Sequence, residues 1–238
     1  MTTSMYGAAL DVLDERYHDV LALAPEGVRL AGLPELPQFA ARFGEVGYVR
    51  LPGVLDEAAT QELVAALWPL LTAVAFPVVV PHRPAETGLS SGGRLRRVDS
   101  RSLDGAQGDA LDQVLVAIGF VDFARRLAEV IDPIVAAVTG GLVYERAFAN
   151  LYEEGDYLTP HDDAHMGSRY DVNLSVTLGG DGGLRVLEGA LLAMQYDGGG
   201  SVGILGPGTW HEVPVLLRRA GGPAPRRMTI TLRYWPPS

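Results

Sequence analysis

The chain has 238 residues, 47% hydrophobic and 20% charged, the makeup of an ordinary globular protein able to bury a sizeable core. Its net charge of −10 argues against nucleic acid, whose phosphates demand a basic surface, and against an anionic membrane. With no cysteine there are no disulfides and no thiolate metal ligands. No apolar run is long enough for a membrane-spanning helix and no signal peptide is legible, so a cytoplasmic protein is expected. All 19 basic residues are arginine, a hint of a GC-rich bacterial genome.

Leu10, Val12, Leu13, Tyr17, Val20 and Leu21 recur at helical spacing and predict an amphipathic helix over 8–23, broken by the Pro- and Gly-bearing 24–37. Phe39–Phe43 predicts a further helical turn ending near Gly44, and 47–53 a short strand. Asp56 is a natural N-cap for a helix running to about Ala73, with a break at Pro77. Residues 78–103 hold Pro81, Pro84, Gly88, Gly92 and Gly93, then Arg94, Arg96, Arg97 and Arg101, and read as irregular. Such a segment is either a solvated loop or a lid whose arginines meet an anionic substrate. Residues 110–139 supply one or two helices, broken near Asp132–Pro133.

From Leu142 the character changes to short strand-like runs between Gly-rich turns. The expected strands are 143–151, 157–163, 172–178, 183–187, 192–196, 203–205, 209–215 and 228–235. Eight short strands after helices predict an α+β fold, a double-stranded β-helix (jelly-roll) core with N-terminal helical support. One domain is expected over 1–238, with support and lid in 1–141 and the core in 142–236. Gly179–Gly183 and Gly198–Gly200 read as turns, since neither stands between a strand and a helix.

Of five histidines, His18 reads as structural and His82 as a loop residue within reach of a substrate. On a strand, His161 and Asp163 point the same way while Asp162 points opposite. A second imidazole, His211, arrives 50 residues later. Two imidazoles and a carboxylate form the facial set that leaves open positions on non-haem Fe(II). His165 shares the alternation and is the rival ligand, but Gly167 and Ser168 argue that the strand has ended there. In the last strand Arg227, Thr229 and Thr231 share one face, and Met228, Ile230 and Leu232 the other. A guanidinium fixed inside a barrel suits bidentate capture of a carboxylate. Arg226 competes for that role, but only Arg227 has a hydroxyl residue two positions on. Arg169, Tyr170 and Asn173 follow the metal strand and are candidates to reach a ligand, whereas Trp210 and Glu212 alternate away from His211.

His161-x-Asp163, then His211, then Arg227-x-Thr229 resembles the Fe(II)/2-oxoglutarate-dependent dioxygenases, in particular their prolyl-hydroxylase-like branch. The resemblance covers 143–235 well and 46–75 more weakly. Arg227 lies 16 residues past His211, further than is usual in that family, and 218–225 reads as an inserted loop. The resemblance implies Fe(II) on His161, Asp163 and His211, with 2-oxoglutarate and O2 as co-substrates. It further implies that the distal carboxylate of 2-oxoglutarate meets Arg227 and Thr229. Tyr152 falls where related enzymes place a tyrosine that hydrogen-bonds the co-substrate; as a bare residue it reads equally as a barrel-lining aromatic. Related radical halogenases have Gly or Ala where this chain has Asp163, so hydroxylation is the implied outcome, with succinate and CO2 released. Desaturation or ring closure would use the same ligands.

The expected substrate is a small molecule, a free amino acid or natural-product intermediate, rather than nucleic acid. Three alternatives stand beside this reading. They are a cupin-like metalloenzyme using the triad without 2-oxoglutarate, a peptidyl hydroxylase, and a non-catalytic jelly-roll binding module.

Overall fold

A computed structural model describes residues 36–84, 90–163, 169–188, 191–198 and 200–237. The expected helix over 8–23, with His18, and the rival ligand His165 lie outside the described residues.

The first layer is helical. Helix α1 (Leu36–Val46) runs past Gly44 into strand β1 (Tyr48–Leu51), and α2 spans Glu57–Val74. Asp56 caps α2 as expected, its side chain accepting from the Ala59 amide at 2.8 Å and so satisfying an amide the first turn leaves unpaired. Helix α3 (Gly105–Ala117) and helix α4 (Phe120–Thr139) follow. The expected break at Pro133 does not occur: α4 continues through it, and the chain turns instead at Gly119, where φ is 75°. Pro133 removes one backbone donor and crowds the preceding turn. However, Phe123, Leu127, Ile131, Ile134, Val135 and Val138 form one buried stripe on both sides of it, and that burial outweighs the lost bond.

The second layer is an antiparallel barrel that is nearly closed. Its strands are β1, β2 (Phe76–Pro84), β3 (Ser90–Val98), β4 (Val143–Glu153), β5 (Tyr157–His161), β6 (Tyr170–Leu178), β8 (Gly183–Glu188), β9 (Leu191–Tyr196), β10 (Val202–Leu205), β11 (His211–Val213) and β13 (Arg226–Trp235). The order is β1-β10-β6-β13-β4-β3-β5-β11-β8-β9, with β2 paired to β3. One wall is therefore β10-β6-β13-β4, the other β5-β11-β8-β9, and β3 joins them. This is the jelly roll the strand spacing predicted. A separate two-stranded ribbon pairs β7 (Gly180–Asp181) with β12 (Leu217–Arg218), so the inserted stretch before Arg227 is tied down.

Residues 78–103 differ from expectation. Their described part is the β2–β3 hairpin and a short 3₁₀ turn at Ser100–Ser102. Gly93, taken as a breaker, is a site of close approach: a Cβ there would lie 2.6 Å from the Leu158 side chain. Small residues let β3 pack against β5. Of the four arginines, Arg94 pairs with Asp156 and Arg96 donates to the Thr72 carbonyl; only Arg97 and Arg101 line the central cavity.

Strand β13 positions the site. Met228, Ile230, Leu232 and Tyr234 enter the main core with Leu67, Leu71, Leu127 and Ile131. Arg227, Thr229, Thr231 and Arg233 face the cavity. The alternation expected from the sequence is the one observed.

Candidate active site

The inner wall is built in rows set by strand register. On β13, Arg227 stands between Tyr152 and Thr177, Thr229 between Asn150 and Ser175, Thr231 between Phe148 and Asn173, and Arg233 between Arg146 and Asp171. With β3, these strands line a cavity of about 600 Å³ that also takes in His161, Asp163 and His211.

His161 ends β5 and lies directly opposite His211 on β11, with ring centroids 4.3 Å apart. Each ring folds back on its own strand: Nδ1 of His161 lies 2.8 Å from the Thr159 carbonyl, and Nδ1 of His211 lies 2.8 Å from the Thr209 carbonyl. A carbonyl only accepts, so both Nδ1 atoms carry the proton and both Nε2 lone pairs are free. Burial, followed by the neighbouring His211, pushes the His161 pKa down to about 4, which keeps that ring neutral near neutral pH. Asp163 brings a carboxylate oxygen 4.0 Å from His211 Nε2. One ligand atom from each of the three lies within 4.8 Å of the other two. Two imidazoles, each anchored through Nδ1 to a backbone carbonyl, and one carboxylate fit a single divalent metal with open positions.

Arg227 is 2% exposed and already has a partner. Its Nε donates to Asp197 Oδ2 at 2.7 Å and its Nη2 to Oδ1 at 3.3 Å. Thr177 donates its hydroxyl to the same carboxylate at 2.6 Å. Burial works against the charge on Arg227, but Asp197 more than offsets it and the guanidinium is held ionised. Asp197 opens a turn that Arg50 anchors, its Nη2 donating to the Gly198 carbonyl at 3.0 Å and its Nε to Ser201 at 3.1 Å. The opposite edge of Arg227, at Nη1, has no partner among the described residues. Thr229 lies one row along, sharing a hydrogen bond with Ser175 at 3.0 Å. The Tyr152 ring sits against the Arg227 guanidinium at 5.3 Å, and burial raises the pKa of its hydroxyl.

Arg226 is exposed and covers the Trp68 ring on the helical side, so of the two arginines only Arg227 enters the cavity. Arg169 and Asn173 line the cavity; Tyr170 packs on Phe43 instead. Glu212 turns outward to Arg185. His82 lies in β2. Sequence reasoning missed Asp197, 30 residues before its partner and in a turn with no motif. It also missed Arg233, which shares parity with Arg227 along β13 and was findable by that rule.

No protein-family model and no curated protein sequence matches the chain. Similarity is found among solved structures. The non-haem α-ketoglutarate-dependent epimerase SnoN from nogalamycin biosynthesis is 20% identical, with 84% of this chain covering 85% of that one at a TM-score of 0.57. A prolyl hydroxylase from Trichoplax adhaerens, in complex with a hypoxia-inducible-factor peptide fragment, is 13% identical, with 84% and 88% covered and a TM-score of 0.53. A prolyl-4-hydroxylase from Pseudomonas putida is 18% identical, with 85% and 100% covered and a TM-score of 0.50. The chain thus has the fold of the Fe(II)/2-oxoglutarate oxygenases, prolyl hydroxylases among them.

Proposed function

We propose that the protein is an Fe(II)- and 2-oxoglutarate-dependent dioxygenase that hydroxylates an unactivated C–H bond of a small molecule, with release of succinate and CO2. The observation that carries this reading is the convergence of His161, Asp163 and His211 on one cavity wall while Arg227 stands buried in the same cavity. His161, Asp163 and His211 would hold Fe(II), which when bound supplies the oxidising chemistry with O2. The residues do the rest. The Thr159 and Thr209 carbonyls keep both Nε2 lone pairs aimed inward. The unpartnered edge of Arg227, with Thr229 beside it, would receive the distal carboxylate of 2-oxoglutarate. Tyr152 would hydrogen-bond that co-substrate from the adjoining row. Asp163 as a ligand favours hydroxylation over halogenation. A cavity of about 600 Å³ suits a free amino acid or natural-product intermediate.

A second reading is favoured by one observation: Arg227 already holds a carboxylate, that of Asp197. On that reading Arg227 is structural and the triad serves a cupin-like enzyme without 2-oxoglutarate. Anaerobic addition of Fe(II), then 2-oxoglutarate, separates the two. A weak visible charge-transfer band that needs both additions is expected, lost in Arg227→Ala and kept in Arg226→Ala. Tight metal binding without a band would establish the second reading, and stoichiometric ligand binding with no metal requirement would reduce the protein to a binding module.

A further inference from the structure

Six arginines line the cavity: Arg97, Arg101, Arg146, Arg169, Arg227 and Arg233. Three of its arginines are matched by acids: Arg146 by Asp99, Arg227 by Asp197 and Arg233 by Asp171, the last bidentate at 2.8 Å on both arms. Arg101 is exposed in the 3₁₀ turn, whereas the partly buried Arg97 and Arg169 are treated differently. Arg97 donates Nε to the neutral amide oxygen of Asn150 at 2.9 Å and has no carboxylate partner among the described residues. The Arg169 guanidinium carbon lies over the Trp235 ring, 4.6 Å from its centroid, and its Nε is buried without a hydrogen-bond partner among the described residues. In a chain of net charge −10 acids are plentiful, yet neither cation is ion-paired among the described residues. A buried N–H left unmet is unfavourable unless something else meets it.

We propose that Arg97 and Arg169 form the substrate's anion subsite, so that the substrate carries a carboxylate. This rests on the oxygenase reading, which assigns 2-oxoglutarate to Arg227. Arg97 and Arg169 both line the main cavity, and Arg169 also lines, with Asp163, His211 and the paired Asp171 and Arg233, a small recess that adjoins it, which puts the Arg169 arm of the subsite next to the metal ligands. Trp235 holds the guanidinium by cation–π contact, and a guanidinium edge matches the two oxygens of a carboxylate with parallel N–H groups. A carboxylate there would meet the orphaned Nε and tie the substrate's acid end beside the metal, leaving its C–H bonds over the open positions.

The test uses the protein loaded anaerobically with Fe(II) and saturating 2-oxoglutarate, titrated calorimetrically with benzoate and with benzamide. The charge-transfer band is recorded alongside. Benzoate is expected to bind at least ~10-fold more tightly than benzamide, about 1.4 kcal/mol, and the double variant R97Q/R169Q is expected to abolish that preference while still forming the band. Equal binding of acid and amide by the wild type would overturn the subsite, as would a preference that survives in the double variant. Loss of the band in the double variant would overturn it too, by giving these arginines to 2-oxoglutarate. An absent band in the wild type sinks the oxygenase reading alone, because the acid-over-amide preference is read separately from heat.

Discussion

Asp197 and Arg227 are 5% and 2% exposed in their side chains, and such a pair behaves asymmetrically. Losing one partner strands a buried charge, at about 3–5 kcal/mol, whereas removing both can be close to neutral. Asp197→Ala is therefore expected to lower the urea unfolding free energy by about 3 kcal/mol or more. The double change Asp197→Ala/Arg227→Met should recover much of that loss, and additive losses would show that the pair is not coupled. The inward face of β13 was legible from the alternation of Arg227, Thr229 and Thr231, because register on a half-buried strand leaves no choice of face. The partner of Arg227 was not legible. Asp197 reaches it by the folding back of one wall on the other, and nothing local in Asp197-Gly198 records that approach.

Among the elements, the eight core strands matched their expected positions closely, since β-branched runs between Gly-rich turns state their own length. The β2–β3 hairpin was missed for a physical reason: glycine both breaks a strand and permits close strand packing, and only the neighbour tells which. The same ambiguity yields opposite predictions at two glycines. Gly200 has φ +58°, and an added Cβ would lie 1.7 Å from the Leu55 carbonyl oxygen. Gly200→Ala should destabilise by about 2–4 kcal/mol through strain and forced movement of that backbone. Gly44 lies inside α1 with nothing within 4 Å of its Cβ position. Gly44→Ala should stabilise by about 0.5–1 kcal/mol through helix propensity. Thermal unfolding of both variants checks the pair, and a shared sign would contradict the account.

For the whole molecule, no described helix is long and apolar enough to cross a membrane. The three candidate metal ligands hang from β5, β11 and the two residues after β5. A cation bound there exists only in the folded barrel and must stabilise it by mass action. Mn(II), a redox-quiet substitute, at 100 times its Kd should add about 2.7 kcal/mol to stability, seen as a saturable rise in Tm that Asp163→Ala removes. A Tm indifferent to Mn(II) would mean that the cluster does not bind it. The barrel itself was foreseeable because it follows from strand count and spacing. The pairing of Arg146, Arg227 and Arg233 around its interior was not, since charge composition says nothing about which cations lack an acid.

Strand β13 also works like a reading frame. Its odd-numbered positions address the cavity and its even-numbered positions address the helical core, from Arg227 through Tyr234. The loop before it, with Gly221 and Gly222, absorbs extra length without disturbing that frame, which is how Arg227 can stand 16 residues beyond His211 and still face inward. One residue inserted within the strand would do the opposite. It would turn every later arginine and threonine into the core and every later aliphatic into the cavity. Length can drift between these landmarks, but parity within the strand cannot.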